Sequence, residues 1–513
     1  MIKNIIVLGG GSAGWMTAAT LCKRFPTKNI TVIESPNTPT VGVGESTLGQ
    51  IKNWTSFIGL DEKSFIKATG ASLKLSIKFT DFYKKGTHFH YPFGGAHIKG
   101  NINETNDWWF KKILYPKTKQ TDFADTMYPA MALVNQNKMT DEPIHELPFN
   151  YHTDTAYHFD ATKFGIWLRD YFCKPKGVKH VVEDIDDIKT NKDGIVSLNK
   201  HKADLYIDCT GFKSLLLDKT MKIPFESYSD LLPNDTAWAT RMPYKNKKKE
   251  LVPYTNCTAL KNGWVWNIPL WARVGTGYVF SKKFTTEEKA LKEFKDHLKN
   301  KTDVSKLEFR KIDMRVGIHN QLWVKNVVGI GLSAGFIEPL ESNGLFSVHE
   351  FLHHLCRVLE RGEVNQLDKD SFTHICKLTF KNFAEFVALH YAFTVREDSE
   401  YWRYQKNKQW SSSIINLKND YQNGLLQSVR GKFIDFQFPL NSGLSAISAG
   451  FNWAPCDESS ICYNNYSSEV KGREIWESQI KNLERRKKIW DNSVKDLPSL
   501  YDFLKDKFYE SDA

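Results

Sequence analysis

A glycine run set between two apolar strands constrains this chain more than any other stretch. Lys3-Asn-Ile-Ile-Val-Leu8 reads as a buried strand, and Gly9-Gly10-Gly11-Ser12-Ala13-Gly14 follows it. A helix is expected over 15–25, beginning after Gly14, and Ile30-Thr-Val-Ile-Glu34 reads as a second strand. The run fits G-x-G-x-x-G, and Glu34 stands 20 residues beyond Gly14. The first glycine permits a tight turn, the second lets the backbone approach a pyrophosphate, and the third packs helix on strand. The helix N-terminus then faces the phosphates, and Glu34 can accept from ribose hydroxyls. The stretch predicts a β-α-β dinucleotide site, with FAD and NAD undivided. A glycine turn without ligand is the plainer alternative; the flanking strands and the placed acid argue against it.

The 513 residues can bury at least one large core, and 41% hydrophobic with 25% charged residues excludes collagenous and disordered chains. Eight cysteines are scattered without a C-x-x-C, which fits reduced thiols in a cytoplasmic protein better than a zinc ribbon or a disulfide framework. No run approaches the ~18 apolar residues of a membrane span. Met1, Lys3 and Ile5–Leu8 mimic a short signal peptide, but Gly9, Gly10 and Gly11 interrupt it and no clean cleavage site follows. The net charge of +11 is spread among acids, so a solvated surface is expected rather than a nucleic-acid groove. Residues 471–488 form the one basic cluster, and Trp476, Ile480 and Leu483 imply that this helix packs inward on one side. Further strands are expected at 203–209, 263–268, 277–281 and 323–331, and helices at 344–361, 371–394 and 470–490. The segment 84–150, dense in His, Tyr, Trp and Asn, reads as an insertion.

The helix after 344 has Leu345, Val348, Leu352, Leu355 and Leu359 on one face. Ser342 is its natural N-cap, which leaves the amides of Asn343, Gly344 and Leu345 as donors at a positive helix end. Such an end can hold a flavin oxygen, a carboxylate or a halide, although an ordinary capped helix is the simpler reading of this stretch alone. His349-Glu350-Phe351-Leu352-His353 on the same helix matches H-E-x-x-H, the zinc-hydrolase pattern. No G-x-x-H follows it, so border packing is the better account and no metal site is expected.

Further stretches stand in a definite order: Gly42-Val-Gly44-Glu45-Ser46-Thr47, Ala71-Ser-Leu-Lys74-Leu-Ser-Ile-Lys78-Phe79, His158-Phe159-Asp160-Ala161, Ile207-Asp208-Cys209-Thr210-Gly211 and Gly275-Thr-Gly277-Tyr278-Val-Phe280-Ser281. The two most specific are Gly263-Trp264-Val-Trp266-Asn-Ile268-Pro269 and Phe336-x-x-Pro339-x-x-Ser342-x-Gly344. Together with Gly9–Gly14, this order resembles the flavin-dependent (tryptophan-type) halogenases over nearly the whole chain.

The resemblance implies an α/β fold: a Rossmann-type FAD-binding module with a mixed sheet, the flavin monooxygenase-like box, over 1–83 and 150–345. A mainly helical substrate-binding part, 84–149 and 346–513, would pack with it as one body. It implies reduced FAD, bound non-covalently and supplied by a separate NAD(P)H-dependent flavin reductase. Oxygen would give a flavin hydroperoxide, and a bound halide (chloride, bromide or iodide) would attack it. The hypohalous acid so made would pass through a tunnel to Lys74, not Lys78, with Glu341 as the accompanying acid. Lys74 would act as hydrogen-bond donor or as haloamine carrier, a choice left open. Cofactor contacts would fall on Gly9, Gly11, Ser12, Ala13, Gly14, Glu34, Gly44, Glu45, Ser46, Val182, Leu332 and Leu345, and halide contacts on Asn343 and Gly344. Trp264 and Trp266, two apart on a strand and so on one face, would separate flavin from substrate, although two packed aromatics usually mean core.

Tyr91, Phe93 and Pro439 would touch the substrate. Phe93 is retained, but Tyr91 replaces the family's stacking histidine, and Pro439 in Phe436-Gln437-Phe438-Pro439 replaces a clamping tryptophan. An electron-rich indole or phenol is therefore expected in preference to free tryptophan. No nucleic-acid or membrane partner is expected, and homo-oligomerisation stays open. The rival is an FAD-dependent monooxygenase that hydroxylates an aromatic, which would need neither Lys74, Glu341 nor the paired tryptophans.

Overall fold

The computed structural model describes residues 2–37, 44–96, 108, 111–112, 114–411, 414–415, 440–452 and 473–510. The expected β-α-β unit is present as Asn4–Leu8, Ser12–Arg24 and Asn29–Glu34. The helix begins at Ser12, three residues before the expected start, because Gly11 is its N-cap. The alternation of burial in the strands is lost on both faces, as a sheet covered on both sides requires.

Six strands form the sheet around that unit, in the order Trp323–Val324, Val327–Gly329, Leu205–Asp208, Asn4–Leu8, Asn29–Glu34 and Lys179–Val182. All neighbours run parallel except the first pair. The stretch expected as one strand over 323–331 is a tight antiparallel pair, folded back at Lys325 with φ 53°.

A second, mixed sheet has seven strands in the order Arg310–Asp313, Thr236–Met242, Val274–Phe280, Gly263–Pro269, Tyr254–Ala259, Ser76–Thr80 and His88–Pro92. His88–Pro92, inside the segment read as an insertion, is thus an edge strand of this sheet. Gly277 lies opposite Trp266 in register, and a Cβ there would fall 2.2 Å from the indole. Glycine at 277 is what lets Trp266 lie flat across its neighbour.

A third sheet is small. Glu45–Ser46 and Ser72–Lys74 both pair antiparallel with Ala156–Phe159, placing Ser46 and Ser72 on either side of His158. At Leu75, whose N–H donates to the Pro253 carbonyl (2.7 Å), the chain steps from this sheet into the large one.

The helices Gly344–Glu360 and Gln366–Ala392 pack on these sheets. The second begins five residues before the expected 371, fixed by a capping box between Asn365 and Asp368. Leu440–Gly450 lies against His88–Pro92: a Cβ on Gly450 would meet the Phe89 ring at 2.2 Å. The basic helix Arg473–Ser493 buries Ile480 and Leu483, and Arg486 donates to the Thr126 carbonyl (2.7 Å), in keeping with inward packing. No helix among the described residues is long and apolar enough to cross a membrane, and the cysteines described are free and buried.

The glycine run separates two kinds of constraint. Added Cβ atoms would lie 2.3 Å from the Cys209 carbonyl at Gly9 and 1.8 Å from the Gly9 carbonyl at Gly14, whereas one on Gly11 meets nothing within 4 Å. Gly14→Ala should therefore cost about 1–3 kcal/mol of unfolding free energy through overpacking. Gly11→Ala, at an extended φ of −78°, should leave stability within ~1 kcal/mol while weakening FAD binding at least tenfold. Chemical denaturation and flavin fluorescence titration of the two variants check the contrast.

Candidate active site

The dinucleotide end is built from the turn just described. The open space over Gly11, between glycines that admit no side chain, is the cradle a pyrophosphate requires, so the residues present fit FAD. Ser12 turns its hydroxyl to the Ala161 carbonyl (3.3 Å), leaving its backbone at the helix start for the phosphate. Glu34 ends its strand with Oε1 2.8 Å from His180 Nε2 and 3.8 Å from Arg169. Val182 sits opposite Glu34 in register and is exposed. A Cβ on Gly331 would lie 2.8 Å from that of Ala13, so the loop carrying Leu332 is packed directly on the nucleotide turn. His180 and Arg169 were not apparent in the sequence, since nothing in their spacing ties them to Glu34.

The second centre is Lys74. It ends the strand Ser72–Lys74 with a fully buried side chain. Its Nζ donates to the Thr47 carbonyl (2.9 Å) and to Ser342 Oγ (2.8 Å), and lies 4.8 Å above the Phe93 ring. Phe93 is held there because its N–H donates to the Leu75 carbonyl (2.7 Å). Burial pushes the Lys74 ammonium down to about 7, against the opposing charge of Glu341. A fall of that size is about 5 kcal/mol of bias against the charged form, so desolvation outweighs the carboxylate.

Lys74 and Glu341 are electrostatic neighbours, but they are not in direct ion-pair contact. Glu341, also fully buried, places Oε1 2.7 Å from His390 Nε2. His390 Nδ1 faces the Val387 carbonyl (3.1 Å), which accepts only, so Nδ1 carries a proton. Burial raises the Glu341 carboxyl, and the His390 contact and Lys74 charge pull it back. The Tyr91 phenol is within reach of the same charge: burial first and Glu341 second hold it well above its ordinary range. Tyr91 packs edge-on to Phe93 and Phe386, and a Cβ on Gly443 would meet its hydroxyl at 2.8 Å.

Ser342 does not cap the following helix. It adopts left-handed φ 58°, ψ 33°, and Asn343 takes the N-cap position without a side-chain bond to the helix, its Nδ2 donating instead to the Ile337 carbonyl (3.4 Å). A non-glycine residue in that region is strained, and here the strain aims Oγ at Lys74 and Ser46 (3.0 Å). The amides of Asn343 and Gly344 donate to no described backbone carbonyl, and a Cβ on Gly344 would meet nothing within 4 Å. Leu345 is buried one residue further on. The loop is anchored by Glu338, whose Oε2 accepts from Trp264 Nε1 (3.0 Å), Asn234 Nδ2 (2.7 Å) and the Tyr391 hydroxyl (2.8 Å). The first tryptophan of the pair therefore holds the Phe336–Gly344 segment in place.

Pro439 and the neighbouring Phe436–Phe438 lie outside the described residues, as do Gly42 and Val43 of the Gly42–Thr47 stretch; Gly44, Glu45 and Ser46 are described, the last two on the small sheet. On the H-E-x-x-H helix His349 is buried against Phe346 while His353 is exposed, and no described group of three His, Cys, Asp or Glu could hold a metal.

The tryptophan halogenase family profile matches residues 4–455. The chain belongs to the flavin-dependent tryptophan halogenases. It is 34% identical over 427 residues to tryptophan 6-halogenase SttH of Streptomyces toxytricini, covering 79% of this chain and 81% of that protein. It is 30% identical to tryptophan 7-halogenase RebH of Lentzea aerocolonigenes, over 98% of each. Among solved structures, VirX1 superimposes with a TM-score of 0.89 and 36% identity, covering 99% of this chain and 100% of VirX1. This halogenase uses reduced FAD and halide to halogenate an aromatic substrate, and the hydroxylating and zinc-hydrolase alternatives fall away.

The Glu341–His390 contact makes a stability prediction. His390→Leu leaves the carboxylate buried and uncompensated, which should cost roughly 3 kcal/mol at pH 8. A raised folded-state carboxyl binds its proton more readily than the unfolded chain does, so the variant should recover stability as pH falls towards 5. Urea unfolding at the two pH values checks it; an equal loss at both contradicts the pairing.

Proposed function

We propose that Lys74 delivers the halogen to the aromatic ring and that Glu341 takes the ring proton. The observation that carries this is the burial of both groups on either side of Ser342, with Lys74 bonded to that serine and the free helix amides of Asn343 and Gly344 following it. Reduced FAD, bound non-covalently and replenished by a separate flavin reductase, supplies hypohalous acid with oxygen and halide. Gly9, Gly11, Ser12, Ala13 and Gly14 hold its pyrophosphate, Glu34 and Val182 border the ribose side, and Gly44, Glu45, Ser46, Leu332 and Leu345 face the flavin. The amides of Asn343 and Gly344 hold the halide, whether chloride, bromide or iodide. Residues 1–83 and 150–345 serve the cofactor, and 84–149 with 346–513 serve the substrate.

The protein's own groups then divide the transfer. As an ammonium, Lys74 has three N–H donors. Thr47 and Ser342 take two, and the third donates to the hypohalous oxygen. The carbon–halogen bond forms as the halogen–oxygen bond breaks, and the leaving hydroxide takes the Lys74 proton and departs as water. Glu341 accepts the proton lost from the ring, and His390 keeps it oriented. A neutral amine has only two N–H bonds, both already used, so it has no proton left for the hypohalous oxygen and the donor role requires the ammonium.

The substrate is an electron-rich indole or phenol. Phe93 lies with its ring face under Lys74 and Tyr91 packs edge-on to Phe93, so these two rings border the substrate, and Pro439, in place of a clamping tryptophan, leaves the pocket less selective for free tryptophan. The relatives named for tryptophan keep that amino acid as a competitor to be tested. With FAD, a flavin reductase, NADH, oxygen and each halide, an indole and phenol panel should yield halogenated products by mass spectrometry. Lys74→Ala should lower that yield by about 10²–10⁴ while flavin oxidation continues. Tight, selective turnover of tryptophan contradicts the substrate assignment, and full activity of the variant contradicts the role of Lys74.

The acid–base state gives a further expectation. Lys74 loses its proton near pH 7, so the rate of halogen transfer under single-turnover conditions should fall as pH rises through that value. A rate that climbs through the same range would assign the haloamine role instead.

A further inference from the structure

A continuous line of buried hydrogen bonds runs from Lys74 to His158. Lys74 Nζ meets Ser342 Oγ (2.8 Å), which meets Ser46 Oγ (3.0 Å), then Thr255 Oγ1 (2.6 Å), then His158 Nε2 (2.8 Å). His158 Nδ1 faces Ser72 Oγ (3.3 Å), and Ser72 donates to the Pro269 carbonyl. Every one of these side chains is buried. The small sheet assembles the line, because its register sets Ser46 and Ser72 beside His158 and places Lys74 two residues after Ser72 on the same face.

The far end fixes the direction of the bonds. The Pro269 carbonyl accepts only, so the Ser72 proton is committed to it and Ser72 Oγ accepts from His158 Nδ1–H. A neutral imidazole has one N–H, so Nε2 is then an acceptor and Thr255 must donate to it. Thr255 Oγ1 accepts from Ser46, Ser46 accepts from Ser342, and Ser342 is left to accept from Lys74. With Thr47 taking a second N–H, the line determines that a single ammonium proton points at the oxidant.

We propose that His158 is a positioning residue for Lys74, acting through Thr255, Ser46 and Ser342 to set which proton of the ammonium is free for halogen transfer. Burial beside Lys74 keeps His158 well below the ordinary histidine range, in keeping with the neutral form the direction requires. The inference rests on the proposed role of Lys74.

Thr255→Val removes the hydroxyl at constant shape, and Thr255→Ser retains it. Thr255→Val should lower kcat for halogenation about tenfold, the loss expected for one hydrogen bond. KM for the aromatic and the rate of flavin oxidation should stay unchanged, and hypohalous acid should escape to a thiol trap. Thr255→Ser should stay within about twofold of the parent. A fully coupled Thr255→Val enzyme, or equal damage in both variants, overturns the proposal. Because Thr255→Val could misfold, nitrogen-15 spectra of histidine-labelled native enzyme, with His158→Gln for assignment, provide an independent reading: His158 should be the Nδ1–H tautomer, and an Nε2–H tautomer overturns the proposal. Lys74→Ala run alongside separates the two levels. Halogenation that survives it refutes the role of Lys74 itself, whereas an inactive Lys74→Ala beside a fully coupled Thr255→Val refutes only the positioning line.

Discussion

The structure depends on holding one lysine nitrogen away from water. An ammonium in a protein interior costs several kcal/mol unless its protons are bonded, and here a backbone carbonyl and a strained serine take two of them. Each acceptor is in place for its own reason. Thr47 is fixed by a two-way exchange with Tyr157, whose carbonyl accepts from the Thr47 hydroxyl (3.0 Å) and whose N–H donates to it (2.9 Å). Ser342 is fixed by the loop that Glu338 ties to Trp264, and Trp264 is fixed by the seven-stranded sheet. A motif that reads as a wall of aromatics therefore also anchors the loop that carries Ser342 to Lys74.

The two chemical centres are joined by packing. Ala13, in the nucleotide turn, touches Gly331, and the chain then runs through Leu332 to Glu341 and Ser342. The loop packed on the nucleotide turn and the segment carrying Glu341 and Ser342 are thus one continuous stretch of backbone. The spacing between the nucleotide turn and the Lys74 cluster is therefore set on this side by covalent chain as well as by contacts.

Much of this was legible in the sequence, and the limits have physical causes. The glycine spacing, the paired tryptophans and the apolar stripe of the helix after Gly344 depend on local geometry, so their period reveals them. Lys74 was legible only through its flanking motif, since a lone lysine reads as surface. Ser342 was expected as a helix cap because serine before a helix commonly is one; the structure spends its hydroxyl on Lys74 and leaves the cap to Asn343. His390 gave no signal, because a single histidine within Ala388-Leu389-His390-Tyr391 of an apolar helix reads as core. His158 stood inside a family motif, yet its partners at positions 46, 72 and 255 meet only through the register of the small sheet. The early start of the helix at Gln366 follows from the side-chain exchange between Asn365 and Asp368, which the apolar pattern does not contain.

The claim on which the account turns is that burial, rather than a touching carboxylate, sets the chemistry of this amine. Site-resolved titration of the Lys74 Nζ by nitrogen-15 NMR, in enzyme labelled at lysine and assigned with Lys74→Arg, measures it directly. The account gives a midpoint of about 7; a midpoint close to the ordinary lysine value of about 10.4 would contradict it.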